Sequence, residues 1–427
     1  MKSSASDSVR NNVAYLFGGE VSAKLLNLCS FSLMARGFSV EDYGVLALAF
    51  SIGSMFYIFF NFGLDYHLIR DIKEARFEPK DIFSRVVNIK IWSLPLFLAI
   101  FLIAYFLMGW ELSHLVATLF VFLYFYLAST LSILFFFFRA YENMKYECVT
   151  RLIHGLILLA CASLFGYMQK NLFLLGLSYL GLTLVVLLLF LLFFVKKFGF
   201  SFRFRPFVLK GELAMVGESK YLFFTGVCTS IFSCADVWII SFFLGLGAVA
   251  VYKNAVLVTF ASFMLPAVVM QAFFPRLVKH RFESASFWNE MRNILKKTVP
   301  AAVFVGTILF FLAPFITTLL FGVKYDASIP LFRISLLAFL FSCVNHVFGY
   351  GITAAGEYRL GFIIAFILAG FSAVLNLILI PRVGLIGAII ALNATHFLAI
   401  ILPLLALTFR RNRICCTSDS TLPSDGF

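Results

Sequence analysis

The stretch Lys196-Lys197-Phe198-Gly199-Phe200-Ser201-Phe202-Arg203-Phe204-Arg205-Pro206-Phe207-Val208-Leu209-Lys210 lies close to the midpoint of 427 residues. It is basic, studded with Phe, and followed by Lys220. On each side lies a run of apolar segments of about 20 residues, the length that crosses a hydrocarbon core. Before it they fall near 11–35, 44–68, 86–108, 114–138, 151–169 and 172–195. After it they fall near 218–244, 249–274, 296–321, 329–353, 361–380 and 384–409. Six core helices in each half of a soluble protein would fit the pattern, but not the composition. Hydrophobic residues make up 62% and charged residues 13%, against roughly 25% charged in soluble domains. The mean hydropathy is +0.98. The central stretch therefore reads as a water-exposed linker between two membrane bundles.

The expected fold is all-α and polytopic, with twelve transmembrane helices in two six-helix bundles. The bundles cover 1–195 and 217–409, a cytoplasmic basic linker covers 196–216, and a cytoplasmic tail covers 410–427. No polar connection is long enough to house a separate catalytic or nucleotide-binding domain. Such a pair of bundles points to moving something across a bilayer.

A net charge of +13 suggests nucleic acid at first sight. Its distribution argues otherwise. Most of the 34 Lys and Arg fall at the N-terminus and in alternate loops, leaving few in the loops between. Basic loops stay cytoplasmic, so the charge sets topology and puts both termini inside. The eight cysteines form no C-x-x-C and no zinc-like spacing, so neither a metal nor another cofactor is expected. The first apolar run contains Glu20 and Lys24 and lacks a small-residue cleavage site, which is unlike a cleavable signal.

Polar residues inside the spans are the candidate site, because a charge within a bilayer normally faces protein or water. Glu20, Lys24, Asn27 and Ser30 share one face of the first span. They form either a self-neutralising Glu20–Lys24 pair or a wet cavity wall. Ser54, Tyr57, Asn61 and Asp65 share a face of the second. Lys90 opens the third span, where its stem can snorkel to the inner surface. Arg139, Arg276 and Arg333 lie near span ends, as cavity cations or interfacial anchors. Thr225, Thr229, Ser233 and Asp236 stripe the seventh span. This marks Asp236 as an ion-coupling candidate or, alternatively, a structural carboxylate. Asn345 and His346 face one side of the tenth, with Asn376, Asn393 and His396 beyond. Pro95, Pro266, Pro300, Pro314 and Pro403 interrupt spans. A faint parallel repeat relates Gly37-x5-Tyr43-x3-Ala47 to Gly245-x6-Tyr252-x2-Ala255, at equivalent places in the halves.

Ala35-Arg36-Gly37-Phe38-Ser39-Val40-Glu41-Asp42-Tyr43-Gly44, followed by Asn61-Phe62-Gly63-Leu64, resembles the start of a bacterial polysaccharide flippase. Ala235-Asp236-Val237-Trp238, Phe321-Gly322-Val323-Lys324-Tyr325 and the run from Asn376 to Ala388 agree in order and spacing. These flippases translocate O-antigen and capsule repeat units and belong to the multidrug/oligosaccharidyl-lipid/polysaccharide exporter superfamily. The resemblance implies two V-shaped bundles, alternating access and a lipid-linked oligosaccharide carried on undecaprenyl diphosphate. It implies the inner membrane of a bacterium and, as further partners, other polysaccharide-assembly membrane proteins. A diphosphate needs cations in a cavity, which directs attention to Lys24, with Asn27, Asn61, Asp65, Arg139, Arg276, Asn345 and His346 as further cavity candidates. A cation-coupled drug exporter of the same superfamily would instead use Asp65 and Asp236. A membrane-embedded polymerase or glycosyltransferase would need a large outer loop or paired carboxylates, which the sequence does not offer. The expectation is therefore a transporter and not an enzyme.

Overall fold

In hydrocarbon every backbone N–H and C=O needs an internal partner, and within one segment only a helix provides it. The computed structural model describes residues 2–61, 68–69, 72–73, 78–199, 220–279 and 284–419, and its regular structure is helical throughout. The chain runs α1 Lys2–Gly37, α2 Val40–Asn61, α3 Pro79–Leu107, α4 Leu115–Ala140 and α5 Lys145–Cys161. A π-helical turn, Ala162–Met168, extends α5. Then come α6 Leu172–Phe198, α7 Lys220–Leu244, α8 Leu246–Ser262, α9 Met264–Lys279 and α10 Ser284–Phe321. The last three are α11 Ser328–Ala354, α12 Tyr358–Val383 and α13 Leu385–Asp419.

Among the described residues, 11 helical stretches are long and apolar enough to cross a membrane. One of them, Leu246–Met270, joins α8 to the first part of α9. With α1, whose 36 residues are ample in length but carry Glu20 and Lys24, they account for the twelve expected spans. The third and ninth begin earlier than expected, at Pro79 and Ala285. Local chemistry sets several ends. Pro79 sits in the first turn of α3, where a missing N–H costs nothing. The Asn171 side chain accepts the Leu174 N–H at 2.9 Å and caps α6. Gly199, with φ of 65°, ends it. The break between α8 and α9 falls at Phe263, three residues before Pro266, which has no N–H for the Ser262 carbonyl.

The chain forms two compact units. The first comprises Met1–Val251 with Leu320–Lys324, and the second Tyr252–Leu319 with Tyr325–Phe427. The basic linker stretch over 200–219 lies outside the described residues. In the first unit α7 packs on α2. Its core is rich in rings, with Phe83, Phe137, Phe138, Phe190 and Phe194 all buried. The second unit closes around Met270, Leu277, Phe287, Met291, Val347 and Phe348. Large apolar side chains such as Leu107, Leu192, Phe304 and Phe311 are exposed, as lipid-facing residues should be.

Lys90 corrects the snorkelling expectation. Because α3 starts at Pro79, Lys90 lies about 16 Å along the helix rather than at its mouth. It is 3% exposed. Its ammonium donates to Ser129 Oγ at 2.7 Å and to Asn61 Oδ1 at 3.1 Å. Its carbonyl accepts from Ser93 and from the Tyr126 hydroxyl.

Candidate functional site

Helix α1 packs along α5 by bringing small residues to the seam, the usual way for membrane helices to approach closely. Gly19 meets Cys148, Leu26 meets Gly155, and Gly37 meets Gly166. The sequence offset is the same at all three points, so the helices run parallel and in register. At Gly37 even a methyl group would overlap the Gly166 carbonyl.

Beside this seam α1, α2, α4 and α5 enclose a cavity of about 190 Å³ in the first unit. From α1 come Ala23, Asn27 and Ser30, one face at four- and three-residue steps. Tyr57 comes from α2, and Tyr124 and Ser132 come from α4 together with the apolar Leu131 and Phe135. Helix α5 supplies Arg151, His154 and Gly155. The His154 Nε2 lies 2.9 Å from Thr183 Oγ1, which fixes the ring.

Arg151 is the cation of this cavity, and a buried carboxylate aims it. Glu147 is 1% exposed and one turn before Arg151. Its Oε1 accepts from Arg151 Nε and Nη2, both at 2.9 Å. Arg139 grips the same carboxylate with both forks, Nη2 at 2.6 Å and Nε at 2.7 Å. Two guanidiniums thus share one carboxylate, and the cluster keeps a net positive charge. Arg151 also lies over the Phe135 ring at 5.2 Å, which holds its plane. Such a site offers a planar donor, hydroxyls, an amide and aromatic faces. These suit an anionic, hydroxyl-rich ligand.

Of the residues expected from sequence, Asn27 lines this cavity. Asn61 is buried behind it, donating to the lining Ser132 at 3.4 Å and accepting from Lys90. Lys24 is exposed and is not part of the lining, and neither it nor Glu20 makes an ion pair among the described residues. Asp65 lies outside the described residues. Arg139 is held on Glu147 rather than in the cavity lining. Asp236 is 5% exposed on α7, and its Oδ1 accepts the Val237 N–H at 2.7 Å. Its stripe partners Thr229 and Ser233 bond back to their own helix, each at 2.8 Å.

The other candidates belong to the second unit. Arg276 is exposed near the end of α9, 3.8 Å from the Glu290 carboxylate. Asn345 and His346 are half-buried on α11, with His346 Nδ1 2.7 Å from the Ser342 carbonyl. Asn393 donates to the Ile334 carbonyl at 3.2 Å and so ties α13 to α11.

Arg151, His154 and Glu147 were not singled out from sequence. A signal was there: the three stand at steps of four and three on one face of a membrane helix. Glu147 precedes the apolar run at 151–169 and Arg151 opens it, so both sit at the mouth of a span. No cluster of three or more metal-ligating side chains occurs among the described residues.

Comparison with known proteins sets this geometry in a family. Residues 9–281 match the model of a family described as polysaccharide biosynthesis protein. The capsular polysaccharide biosynthesis protein CapF of Staphylococcus aureus is 27% identical over 137 residues, 31% of this chain and 34% of its own. An uncharacterised membrane protein of Methanocaldococcus jannaschii is 23% identical over 271 residues, 60% of this chain and 52% of its own. The chain therefore spans about a third and about half of these relatives' lengths. Among solved structures, lipid II flippase MurJ in an inward closed conformation superposes with a TM-score of 0.73 at 16% identity. That match covers 92% of this chain and 87% of the other. An inward-facing multidrug resistance transporter of the MATE family gives 0.71 at 15%, covering 95% and 99%. These two likenesses are of fold: this chain has the all-helical membrane fold of both.

Proposed function

We propose, from the premise that the chain belongs to the polysaccharide biosynthesis protein family, that it is a lipid-linked oligosaccharide flippase. It moves an undecaprenyl-diphosphate-linked repeat unit from the cytoplasmic to the periplasmic leaflet by alternating access. The unit serves O-antigen or another surface polysaccharide. In this reading the protein sits in a bacterial inner membrane with both termini cytoplasmic. Two six-helix bundles, 1–195 and 217–409, do the moving, joined by the basic linker over 196–216.

The observation that carries the proposal is the Arg151 cavity: a fixed guanidinium among hydroxyls, an amide and rings between membrane helices of the first unit. A phosphate or sugar head enters such a place, while a polyprenyl tail stays in lipid. The cavity holds a few waters or one group of a larger ligand, so it binds part of the head. Lys24, exposed on the same helix as Asn27, is the second cation offered to the diphosphate. Asp236, a buried carboxylate on a membrane helix, is the group proposed to couple movement to an ion. A cationic drug would meet repulsion at Arg151, which favours the flippase over a drug exporter. The similarity to CapF supports the same choice, while the fold is common to MurJ and to the multidrug transporter.

The test is reconstitution in vesicles with a fluorescent undecaprenyl-diphosphate sugar in one leaflet. Arg151→Glu is expected to abolish transfer, and Arg151→Lys to retain part of it, since charge persists without the fork. Transfer at the wild-type rate by Arg151→Glu would end the proposal.

A further inference from the structure

Pro314 removes one N–H from α10, and that N–H would have bonded the carbonyl four residues earlier, on Phe310. In the structure the Phe310 carbonyl accepts instead from Arg333 Nε of α11, at 3.2 Å. The Phe310 ring lies 5.1 Å from the guanidinium carbon. A proline-freed acceptor and an aromatic face thus hold Arg333 in one place. The guanidinium is not a loose, snorkelling charge.

Next to it α10 and α11 leave a groove of about 380 Å³ in the second unit. Its walls are Val303, Phe310, Leu337 and Leu340, and Arg333 is its charged member. Gly306 forms the floor, where an added Cβ would just touch Leu340. Val303, Phe310 and Leu337 are exposed. Arg333 is five residues into α11, about 8 Å from the helix start at Ser328. An apolar slot ending in a fixed cation near a helix end has the chemistry of one membrane component. Its phosphate lies at the interface and its chain runs inward.

We infer that this groove binds a membrane phospholipid, with the phosphate on Arg333 and an acyl chain along Val303, Gly306 and Leu340. Charge complementarity selects the occupant. A neutral lipid would leave the guanidinium without an anion, and a free phosphate would leave the apolar walls bare. Guanidinium forks match phosphate oxygens in pairs, which makes the site one for the head group as well as for the chain. The inference does not depend on what the protein transports.

The experiment uses the full chain in detergent, titrated with phosphatidylglycerol and, separately, with a diacylglycerol of the same chains. Native mass spectrometry counts the bound molecules. One phosphatidylglycerol is expected to be retained in preference to the diacylglycerol. Arg333→Gln should weaken it about fivefold, the factor one basic residue gives at an anionic surface. Gly306→Leu fills the slot and should weaken it with Arg333 intact. Equal retention of both lipids by the wild type overturns the inference, as does unchanged phosphatidylglycerol binding in Gly306→Leu. If Arg333→Gln does not fold, its cation having served only as the cap on Phe310, Gly306→Leu decides the matter alone.

Discussion

At the scale of single residues, two buried polar clusters decide what the first unit can do. Glu147 sits under two arginines and has almost no access to water. Removing one partner of a buried charged cluster costs more than the cluster contributes, because the others stay behind unpaired. Glu147→Gln is expected to lower stability by about 1.5–3 kcal/mol, the range for hydrogen bonds to charged groups. It should also unfix Arg151 and so weaken substrate binding. Glu147→Asp keeps the charge and should recover most of both. Thermal unfolding in detergent reads the first effect and vesicle transport reads the second. If Glu147→Gln matched the wild type in both, the carboxylate would not be positioning Arg151. The Lys90 cluster makes a sharper test. Asn61→Leu takes one acceptor from an ammonium that is 3% exposed and leaves it Ser129, and should destabilise by about 1.5–3 kcal/mol. Adding Lys90→Met removes the buried charge that lost this acceptor. The double variant should therefore melt above Asn61→Leu alone. A double variant that melts lower would mean that Lys90 is anchored mainly by groups other than Asn61.

At the scale of elements, the register of α1 on α5 explains which parts of the sequence were legible. Helix existence was, because long apolar runs have one solution in a bilayer. The cavity was only half so. Asn27 is legible as an amide on the polar face of α1, but its partners Tyr124, Arg151 and His154 come from α4 and α5. Periodicity within one helix says which residues share a face and nothing about which other face they meet. Lys90 was misread for a related reason. Its depth depends on where α3 begins, and the seven residues from Pro79 to Arg85 precede the apolar run at 86–108. The family-like motif around Gly37 and Gly44 gains its physical meaning only in three dimensions. A methyl group on Gly37 would overlap Gly166, and one on Gly44 would overlap the Leu246 carbonyl. Both obstacles are backbone, so neither can rotate aside. Gly37→Ala and Gly44→Ala are each expected to cost about 1–3 kcal/mol, as overpacking does. Gly181→Ala, with open space around it, should cost nothing. Melting temperatures of the three variants in one detergent check this. A Gly37→Ala protein as stable as Gly181→Ala would mean that α1 can be displaced from the π-helical turn of α5 without loss.

At the scale of the whole molecule, the question is which way the chain faces, and the first unit already contains a parity check. Asn12, at the start of the first span, donates to the Glu142 carbonyl at 2.7 Å. Lys73, after the second span, bonds the Glu142 carboxylate at 2.7 Å, and that ion pair holds the acid below its usual carboxylate range. Lys197, after the sixth span, lies 3.6 Å from the Tyr146 ring centre, and Phe198 stacks on Tyr141. All these segments therefore share one end of the unit. The other end gathers the alternate connections. Gly37 abuts Gly166, Gly44 abuts Leu246, and Arg36 donates to the Leu320 carbonyl at 3.1 Å. Lys324 there donates to the Phe38 carbonyl, capping the end of α1 with a cation, where the helix dipole is negative. Burial pushes Lys324 below the ordinary lysine range, and neighbouring Lys170 adds to the shift. In this unit the even-numbered connections just named lie at one end and the odd-numbered ones at the other, as a chain that crosses a membrane at every span requires. The first end is the one rich in Lys and Arg, and such loops are retained in the cytoplasm. In the proposed topology, twelve crossings would return the C-terminus to the side of the N-terminus. Reporter fusions placed after Lys210 and after Arg411 are both expected to report cytoplasm, and a fusion within the turn at Lys170 is expected to report the opposite side. A periplasmic signal after Arg411 would mean an odd number of crossings, and α1, the most polar of the twelve, would be the first helix to re-examine.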